Sequence, residues 1–282
     1  MAEEAATIEA PRAPGRSRRG IICWGVILAL LLLLAFLCWQ FLVPVLRVRS
    51  AFSAAGATLQ SGIRTRPSSD LSEEAARKAV ADLGGAASAV RLIGRVHRSW
   101  AVLQPDQFYG LAPEILTACG REGVPELVRA VEERRPFAYM AIVALGRIGA
   151  PEAEAVILEV LNDPGCEGWW QEAAGALGRL QSRKSVARLT QILSEHSDLE
   201  YRTAAARALG RVGDPKGVPV LLANFDSSKH IRIRGEIRAA LVAIGEPALE
   251  PLKKALAAEK DRTHRDIIRD TIFQIEQSMK VR

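Results

Sequence analysis

The feature that most constrains the fold of this chain is a sequence pattern that returns every 32 residues in its C-terminal half. The tetrapeptide Ala-Leu-Gly-Arg occurs at 144–147, 176–179 and 208–211. Two further markers keep the same register. One is a glycine that stands two residues before a proline, at Gly149, Gly213 and Gly245. The other is an aromatic residue, at Phe137, Trp169 and Tyr201. A period of this length indicates stacked supersecondary units, so the function of the chain is expected on a surface.

Each repeat has the pattern of a helical hairpin, as the unit from Leu199 to Phe225 illustrates. The apolar residues of its first half recur at helical spacing. Gly213 then suits a left-handed helix end, and Pro215 suits the first turn of a second helix. Such a hairpin buries its apolar faces only against neighbouring hairpins. The sequence therefore predicts an all-α solenoid over residues 71–282, with about six hairpins and a closing helix at 263–277.

The repeat pattern resembles the HEAT-like repeats of the phycobilin-lyase superfamily, whose usual signature is ALGRIGDP followed by spaced valine and leucine. The stretches that carry the resemblance are ALGRIGAPEAEAVILEVL and ARALGRVGDPKGVPVLL. Another copy departs at its turn, where Gln181 and Arg183 replace glycine and proline. The resemblance covers roughly 71–282 and is strongest over 137–257. It implies a HEAT-like superhelix but little about function, because this scaffold hosts many unrelated roles.

The N-terminal region contains a separate apolar feature. The run Ile21–Val43 is interrupted only by Gln40, and as a helix it is long enough to span a bilayer. A cleaved signal peptide would have a core of about 7–15 apolar residues followed by small residues. Because this core is longer and ends in bulky residues, a single uncleaved transmembrane anchor is favoured. The predicted organisation is a tail at 1–20, an anchor at 21–45, a flexible stalk at 46–70 and a HEAT-like domain at 71–282.

Positive charge around this run predicts the orientation in the membrane. Four arginines lie in the short tail before it, and Arg47 and Arg49 follow it closely. A wider window adds Arg64 and Arg66 and removes the difference. The compact cluster in the tail favours the N-terminus inside, which would place the repeats on the extracytoplasmic side of the membrane.

Composition and motifs argue against nucleic-acid binding and catalysis. The net charge is +6, and the most basic stretch is Lys229, His230, Arg232, Arg234 and Arg238. A repeat protein that binds nucleic acid normally has a larger excess, so this stretch is expected to be a solvated helix start or a contact for an acidic partner. The sequence lacks paired cysteines at zinc spacing and glycine-rich phosphate loops. No cofactor, metal site or small-molecule substrate is predicted, and the chain is not expected to be an enzyme.

Two features of the repeats allow both a structural and a functional interpretation. Arg147, Arg179 and Arg211 end successive first helices, where they are expected to meet free carbonyl groups rather than bind an anion. Trp169 and Trp170 are adjacent, so they cannot face the same way on a helix. Trp169 is expected to pack in the core, while an exposed Trp170 would be a candidate partner contact.

The resulting hypothesis is a membrane-anchored HEAT-repeat scaffold that binds a protein partner, and that contacts the lipid bilayer through Ile21–Val43. In this repeat class the second helices usually line the concave face, so exposed side chains there are the partner-binding candidates. By helical phase they are Glu152, Glu159, Lys184, Arg188, Gln191, Lys216 and Asn224, with Trp170 in addition. The alternatives are a subunit of a bilin lyase or isomerase complex, which the resemblance implies, and a structural spacer in an envelope complex.

Overall fold

The computed structural model describes residues 36, 39–40, 42–54, 72–103, 105–227 and 231–281, which fall into two units, Met1–Leu46 and Arg47–Arg282. In the first unit the described residues are helical. Within these described ranges, no helix has both the length and the apolar composition that crossing a bilayer requires. Most of the predicted anchor Ile21–Val43, the tail and residues 55–70 of the predicted stalk lie outside the described residues.

The second unit begins with a helical segment that the sequence assigned to the stalk. Residues 47–54 are helical, and Val48, Ala51 and Phe52 are buried. Three apolar side chains at helical spacing form one face, and this face packs into the unit instead of facing solvent. The prediction of a flexible stalk at 46–70 is therefore wrong for 47–54.

The rest of the second unit, over the residues that the structure describes, consists of helices joined by short turns. The helices are α1 (Glu73–Asp82), α2 (Ala86–Leu103), α3 (Pro105–Ala118), α4 (Gly120–Glu132), α5 (Ala138–Ile148), α6 (Glu154–Asn162), α7 (Trp170–Arg179), α8 (Val186–Glu195), α9 (Leu199–Val212), α10 (Val218–Ser227), α11 (Ile231–Ile244), α12 (Leu249–Ala258) and α13 (Arg262–Val281). No β-strand occurs in this part of the chain. The prediction of an all-helical fold is confirmed for these residues.

The helices of the second unit form two layers. The odd-numbered helices contact one another in chain order from α1 to α13, and we call them the first-helix layer. The even-numbered helices form the second-helix layer, in which α2, α4 and α6 are in contact, as are α8, α10 and α12. Each even helix also packs against the odd helix that follows it. This order is consistent with the predicted solenoid, because each hairpin is covered by its neighbours.

The Ala-Leu-Gly part of the motif forms the contact between successive first helices, which we call the Gly–Ala seam. A Cβ added to Gly146 would lie 2.6 Å from the Cα of Ala176, and one added to Gly210 would lie 2.6 Å from the Cα of Ala240. Gly178 makes the same approach to the next repeat at 3.1 Å. The glycine of one repeat thus leaves room for the alanine of the next, and the helices touch through their backbones. The leucines between them are buried as predicted: Leu145, Leu177 and Leu209.

The turns within the hairpins depend on residues with positive φ. Gly149 and Gly213 both end a first helix with φ of 70°, as the glycine–proline pattern predicts. Gln181 adopts φ of 52° at the equivalent position without being glycine. Gly245 differs from the other glycines, since its φ of 82° and ψ of −133° lie in a region that is essentially restricted to glycine.

Candidate interaction surfaces

The eight partner-binding candidates from the sequence do not all lie on the second helices. Three lie in the short 3-10 turns that precede them: Glu152, Lys184 and Lys216. Four lie on the second helices themselves: Glu159, Arg188, Gln191 and Asn224. Trp170 is the first residue of α7 in the first-helix layer. The prediction that these side chains line one common surface is therefore only partly supported by their positions in the fold.

Two of the exposed candidates form ion pairs between neighbouring repeats. Arg121 Nη1 lies 3.4 Å from Glu152 Oε1, and Lys184 Nζ lies 2.8 Å from Glu154 Oε2. Ion pairs at a solvated surface typically contribute about 0–1 kcal/mol, so a partner could replace them at little cost. Glu159 is exposed as helical phase predicts. A role for these side chains in binding stays a prediction.

Trp170 is buried, so the expectation that it is the more exposed tryptophan of the pair is wrong. Its exposed fraction is 7%, whereas Trp169 is half-buried. The indole Nε1–H donates to the carbonyl oxygens of Val160 and Asp163, at 3.1 and 3.2 Å. The carbonyls of Val160, in the last turn of α6, and of Asp163, just after α6, also accept backbone N–H groups, so the indole adds a second donor at this helix end.

One repeat later, Arg202 donates to the end of α8 in a similar way. Its Nε donates to the carbonyl of Leu193 at 2.8 Å, and its Nη2 donates to Asn224 Oδ1 at 2.9 Å. Asn224 is buried. Its side-chain oxygen accepts this bond, and its side-chain amide donates to the carbonyl of Val220. The prediction that Asn224 is an exposed contact is therefore wrong. Trp170 and Arg202 are 32 residues apart, and a shared N–H donor at this repeat position is a signal that the sequence analysis missed.

Arg188 also serves the contact between repeats. Its guanidinium carbon lies 4.6 Å from the centroid of the Trp170 ring, and its Nε donates to the carbonyl of Leu161 at 3.2 Å. Its Nη1 donates to Gln191 at 2.7 Å. A guanidinium above an aromatic ring is attracted by the ring quadrupole, so Arg188 fixes the position of Trp170.

The arginine series behaves differently from the prediction that it caps helix carbonyls. Arg147 forms an ion pair with Glu114 of the preceding repeat. Within the part of the chain that the structure describes, Arg179 and Arg211 have neither a hydrogen bond nor an ion pair. Burial lowers the pKa of Arg179, and the charges of Arg211 and Arg147 lower it further. Arginine remains protonated in proteins, and both Arg179 and Arg211 are exposed, so their charges are solvated rather than paired with a carboxylate of the described residues.

Arg179 and Arg211, but not Arg147, line a groove of about 250 Å³ that crosses the first-helix layer. Every lining residue belongs to α5, α7, α9 or α11. Small and polar uncharged residues contribute part of the lining: Val143, Gln171, Gly175, Thr203, Ala204 and Ala208. Charged residues contribute the rest: Glu172, Arg179, Glu200, Arg207, Arg211 and Arg232. We call it the arginine groove.

The charges of the arginine groove are only partly paired. Arg232 pairs with Glu200, and Arg207 pairs with Glu236 at 2.6 Å. The Oε2 atom of Glu172 has no hydrogen-bond partner, and desolvation raises the pKa of this carboxyl group. The groove therefore contains two unpaired cations, Arg179 and Arg211, beside one poorly solvated carboxylate. Its chemistry is suited to holding an anionic group.

The repeats match known sequence families over the regions that form the seam. Residues 170–242 and 186–271 match the family model for HEAT repeats, and residues 137–163 match that for the PBS lyase HEAT-like repeat. A search of the curated proteins found no match. The matched residues include the helices from α5 to α12 and the first half of α13. The interpretation of the 32-residue pattern as HEAT-like repeats is confirmed for these regions.

Proposed function

We propose that this chain is a membrane-anchored HEAT-repeat scaffold that binds a protein partner and has no catalytic activity of its own. The observation that carries the proposal is the stack of hairpins with the Gly–Ala seam, in regions that match HEAT repeats. HEAT repeats commonly mediate protein–protein interaction. Because backbones touch at the seam, side chains from successive repeats are held in fixed positions, and a pre-organised surface loses less entropy on binding.

The membrane part of the proposal rests on the sequence of the first unit and on the exposure of its described side chains. Phe36, Trp39 and Leu42 are 57%, 69% and 53% exposed. Large apolar side chains at these levels of exposure are unusual at a water-facing surface and suit contact with lipid. The proposed organisation places the tail 1–20 inside the cell, with the anchor at 21–45 and the repeat domain beyond the membrane.

Site-specific crosslinking of the full chain in native membranes tests the scaffold function. A photoreactive residue at Glu159 or Lys216, which are exposed on the second-helix side of the hairpins, should capture one recurring protein. The same residue at Glu276, exposed on the closing helix α13, is the matched control. The purified partner should then bind the purified chain. Equal capture from all three positions, or no direct binding, would contradict the proposal.

The enzyme alternative is examined with the same purified chain. The match of 137–163 to the PBS lyase HEAT-like repeat is compatible with a subunit of a bilin lyase or isomerase. The chain would be mixed with a bilin chromophore and an acceptor protein, and adduct formation would be followed by absorbance. Transfer above the uncatalysed rate would replace the scaffold proposal.

Protease protection tests the orientation. Protease added to intact cells, with any outer membrane permeabilised, should degrade the repeat domain while cytoplasmic controls survive. Replacing Arg16, Arg18 and Arg19 with glutamine should reverse or mix the orientation, because Arg47 and Arg49 would then dominate the flanking charge. A repeat domain protected in intact cells would show that the proposed orientation is wrong.

A further inference from the structure

The arginine groove lies on the first-helix layer and shares no residue with the candidates on the second helices. We propose that this groove binds an acidic segment of the protein partner, with Asp or Glu carboxylates held by Arg179 and Arg211. The proposal rests on the proposed function for the statement that the partner is a protein. It adds a second surface and specifies the chemistry of the segment bound there.

The unpaired charges are the first argument. Of the four arginines that line the groove, Arg207 and Arg232 already pair with carboxylates of neighbouring repeats. Arg179 and Arg211 face the groove without such a partner among the described residues. Both side chains are exposed and carry like charge on neighbouring repeats, so a carboxylate placed between them would be attracted by both.

Spacing is the second argument. Arg179 and Arg211 hold equivalent positions on α7 and α9, whose backbones touch at the seam through Gly178. Helices in such contact have axes roughly 8–10 Å apart, so the two guanidinium groups are expected at a similar separation. A polyproline II segment rises about 3.1 Å per residue and completes a turn in three residues. Carboxylates three residues apart on such a segment would therefore face the same side and match the two arginines.

The groove's own carboxylates decide which class of anion fits. Glu172, Glu200 and the adjacent Glu236 place negative charge beside the arginines. A nucleic-acid backbone carries closely spaced phosphates, some of which would be held against these carboxylates. An acidic peptide carries charge only where its side chains reach, so it can contact the arginines and avoid the glutamates. Charge complementarity therefore favours a protein segment with spaced acidic residues.

The available space is the third argument. Gly175 lies in the groove, and an added Cβ would have Arg179 Nη1, at 3.7 Å, as its nearest neighbour. Ala204, on the next first helix, also lines the groove. Small residues at these central positions leave room for a peptide backbone between the arginine side chains.

Fluorescence anisotropy with the full chain in detergent tests the proposal. The probe is a labelled nonapeptide, (Glu-Pro-Pro)3, which favours polyproline II, and (Gln-Pro-Pro)3 is its uncharged control. Arg179→Gln and Arg211→Gln should each weaken binding by roughly tenfold, the lower range for a hydrogen bond to a charged group. Arg147→Gln, at the same repeat position but already paired with Glu114, should weaken binding by less than about threefold. Equal affinity of the wild type and Arg179→Gln would overturn the proposal.

Further variants and a nucleic-acid probe test the roles of charge, of space in the groove and of the class of ligand. Glu172→Gln should tighten binding by about twofold to fivefold, because it removes the repelling charge while preserving the side-chain shape. Gly175→Leu should block the groove without changing any charge. A nine-nucleotide single-stranded DNA that binds more tightly than the peptide through the same arginines would also overturn the proposal. If Arg179→Gln/Arg211→Gln leaves partner capture at Glu159 and direct partner affinity unchanged, the acidic-segment proposal fails while the scaffold function stands.

Discussion

Glycines on the two sides of a first helix have different roles, one in helix packing and the other in leaving space for a ligand. On α7, Gly178 lies at the Gly–Ala seam and Gly175 lies in the arginine groove, three residues away. A Cβ at Gly178 would approach the Cα of Ala208 to 3.1 Å, whereas one at Gly175 would meet only the tip of Arg179 at 3.7 Å. The first glycine permits backbone contact and so fixes the stack. The second leaves open space beside unpaired charges, so the same helix supplies both rigidity and a binding surface.

The largest expected effect is on the free energy of unfolding, and it compares a core residue with a groove residue of the same helix. Leu177→Ala should lower the free energy of unfolding by about 2–5 kcal/mol, because Leu177 is fully buried between repeats. Arg179→Gln, two residues further on, should change it by less than about 0.5 kcal/mol, because Arg179 is exposed and makes no hydrogen bond or ion pair within the described residues. Urea denaturation followed by circular dichroism measures both. A loss below about 0.5 kcal/mol for Leu177→Ala would contradict the assigned register.

A second prediction compares the glycines directly. Gly210→Ala places a methyl group 2.6 Å from the backbone of Ala240, so α9 and α11 must separate, at a cost of about 1–3 kcal/mol. Gly175→Ala makes only an ordinary contact and removes the flexibility of a helical glycine, so it should stabilise by roughly 0.5–1 kcal/mol. The opposite signs in denaturant unfolding are the result to look for. If both alanines stabilise the protein, the seam is not a backbone contact.

The seam and the turns could be predicted from the sequence because they depend on residue size and backbone conformation at fixed spacing. The size of Leu177 and the conformational freedom of Gly213 follow from residue type, so the 32-residue register was enough to predict their burial and turn positions. The end of each second helix could not be predicted in the same way. Trp170 and Arg202 turn inward because carbonyl groups of the preceding helix lie within reach, and this geometry exists only after the hairpins have packed. Helical phase alone assigned Asn224 to the surface, and only the adjacency of Trp169 and Trp170 made Trp170 a candidate contact.

The arginine groove could not be predicted from the sequence for a related reason. The local rule for arginine at a helix end predicts contact with free carbonyl groups. Arg147 instead pairs with Glu114, 33 residues earlier, while Arg179 and Arg211 lack an equivalent carboxylate among the described residues. Whether a long side chain finds a partner depends on its neighbour in the stack. Residue spacing showed that the arginines are aligned, but the neighbouring helices decide which of them are unpaired.

The smallest expected effect concerns Glu172, and it depends on pH. Desolvation raises the pKa of this carboxyl group, so its ionised form is less favourable in the folded chain than in the unfolded chain. The resulting loss of stability is absent below the unfolded pKa, about 4.3, and complete above the folded pKa. Glu172→Gln should therefore raise the melting temperature at pH 7–8, and the difference from the wild type should shrink towards pH 4.

The matched control for this prediction is Glu200→Gln in the same groove. Glu200 pairs with Arg232 at an exposed position, so its replacement should leave the melting temperature at pH 7 unchanged or slightly lower. The expected changes in melting temperature differ in sign because Glu200 forms an ion pair, whereas Glu172 is desolvated and its Oε2 has no hydrogen-bond partner among the described residues. A lower melting temperature for Glu172→Gln at pH 7 would mean that Glu172 already compensates a groove arginine. The distinction between a closed seam and a groove with unpaired charges would then no longer hold.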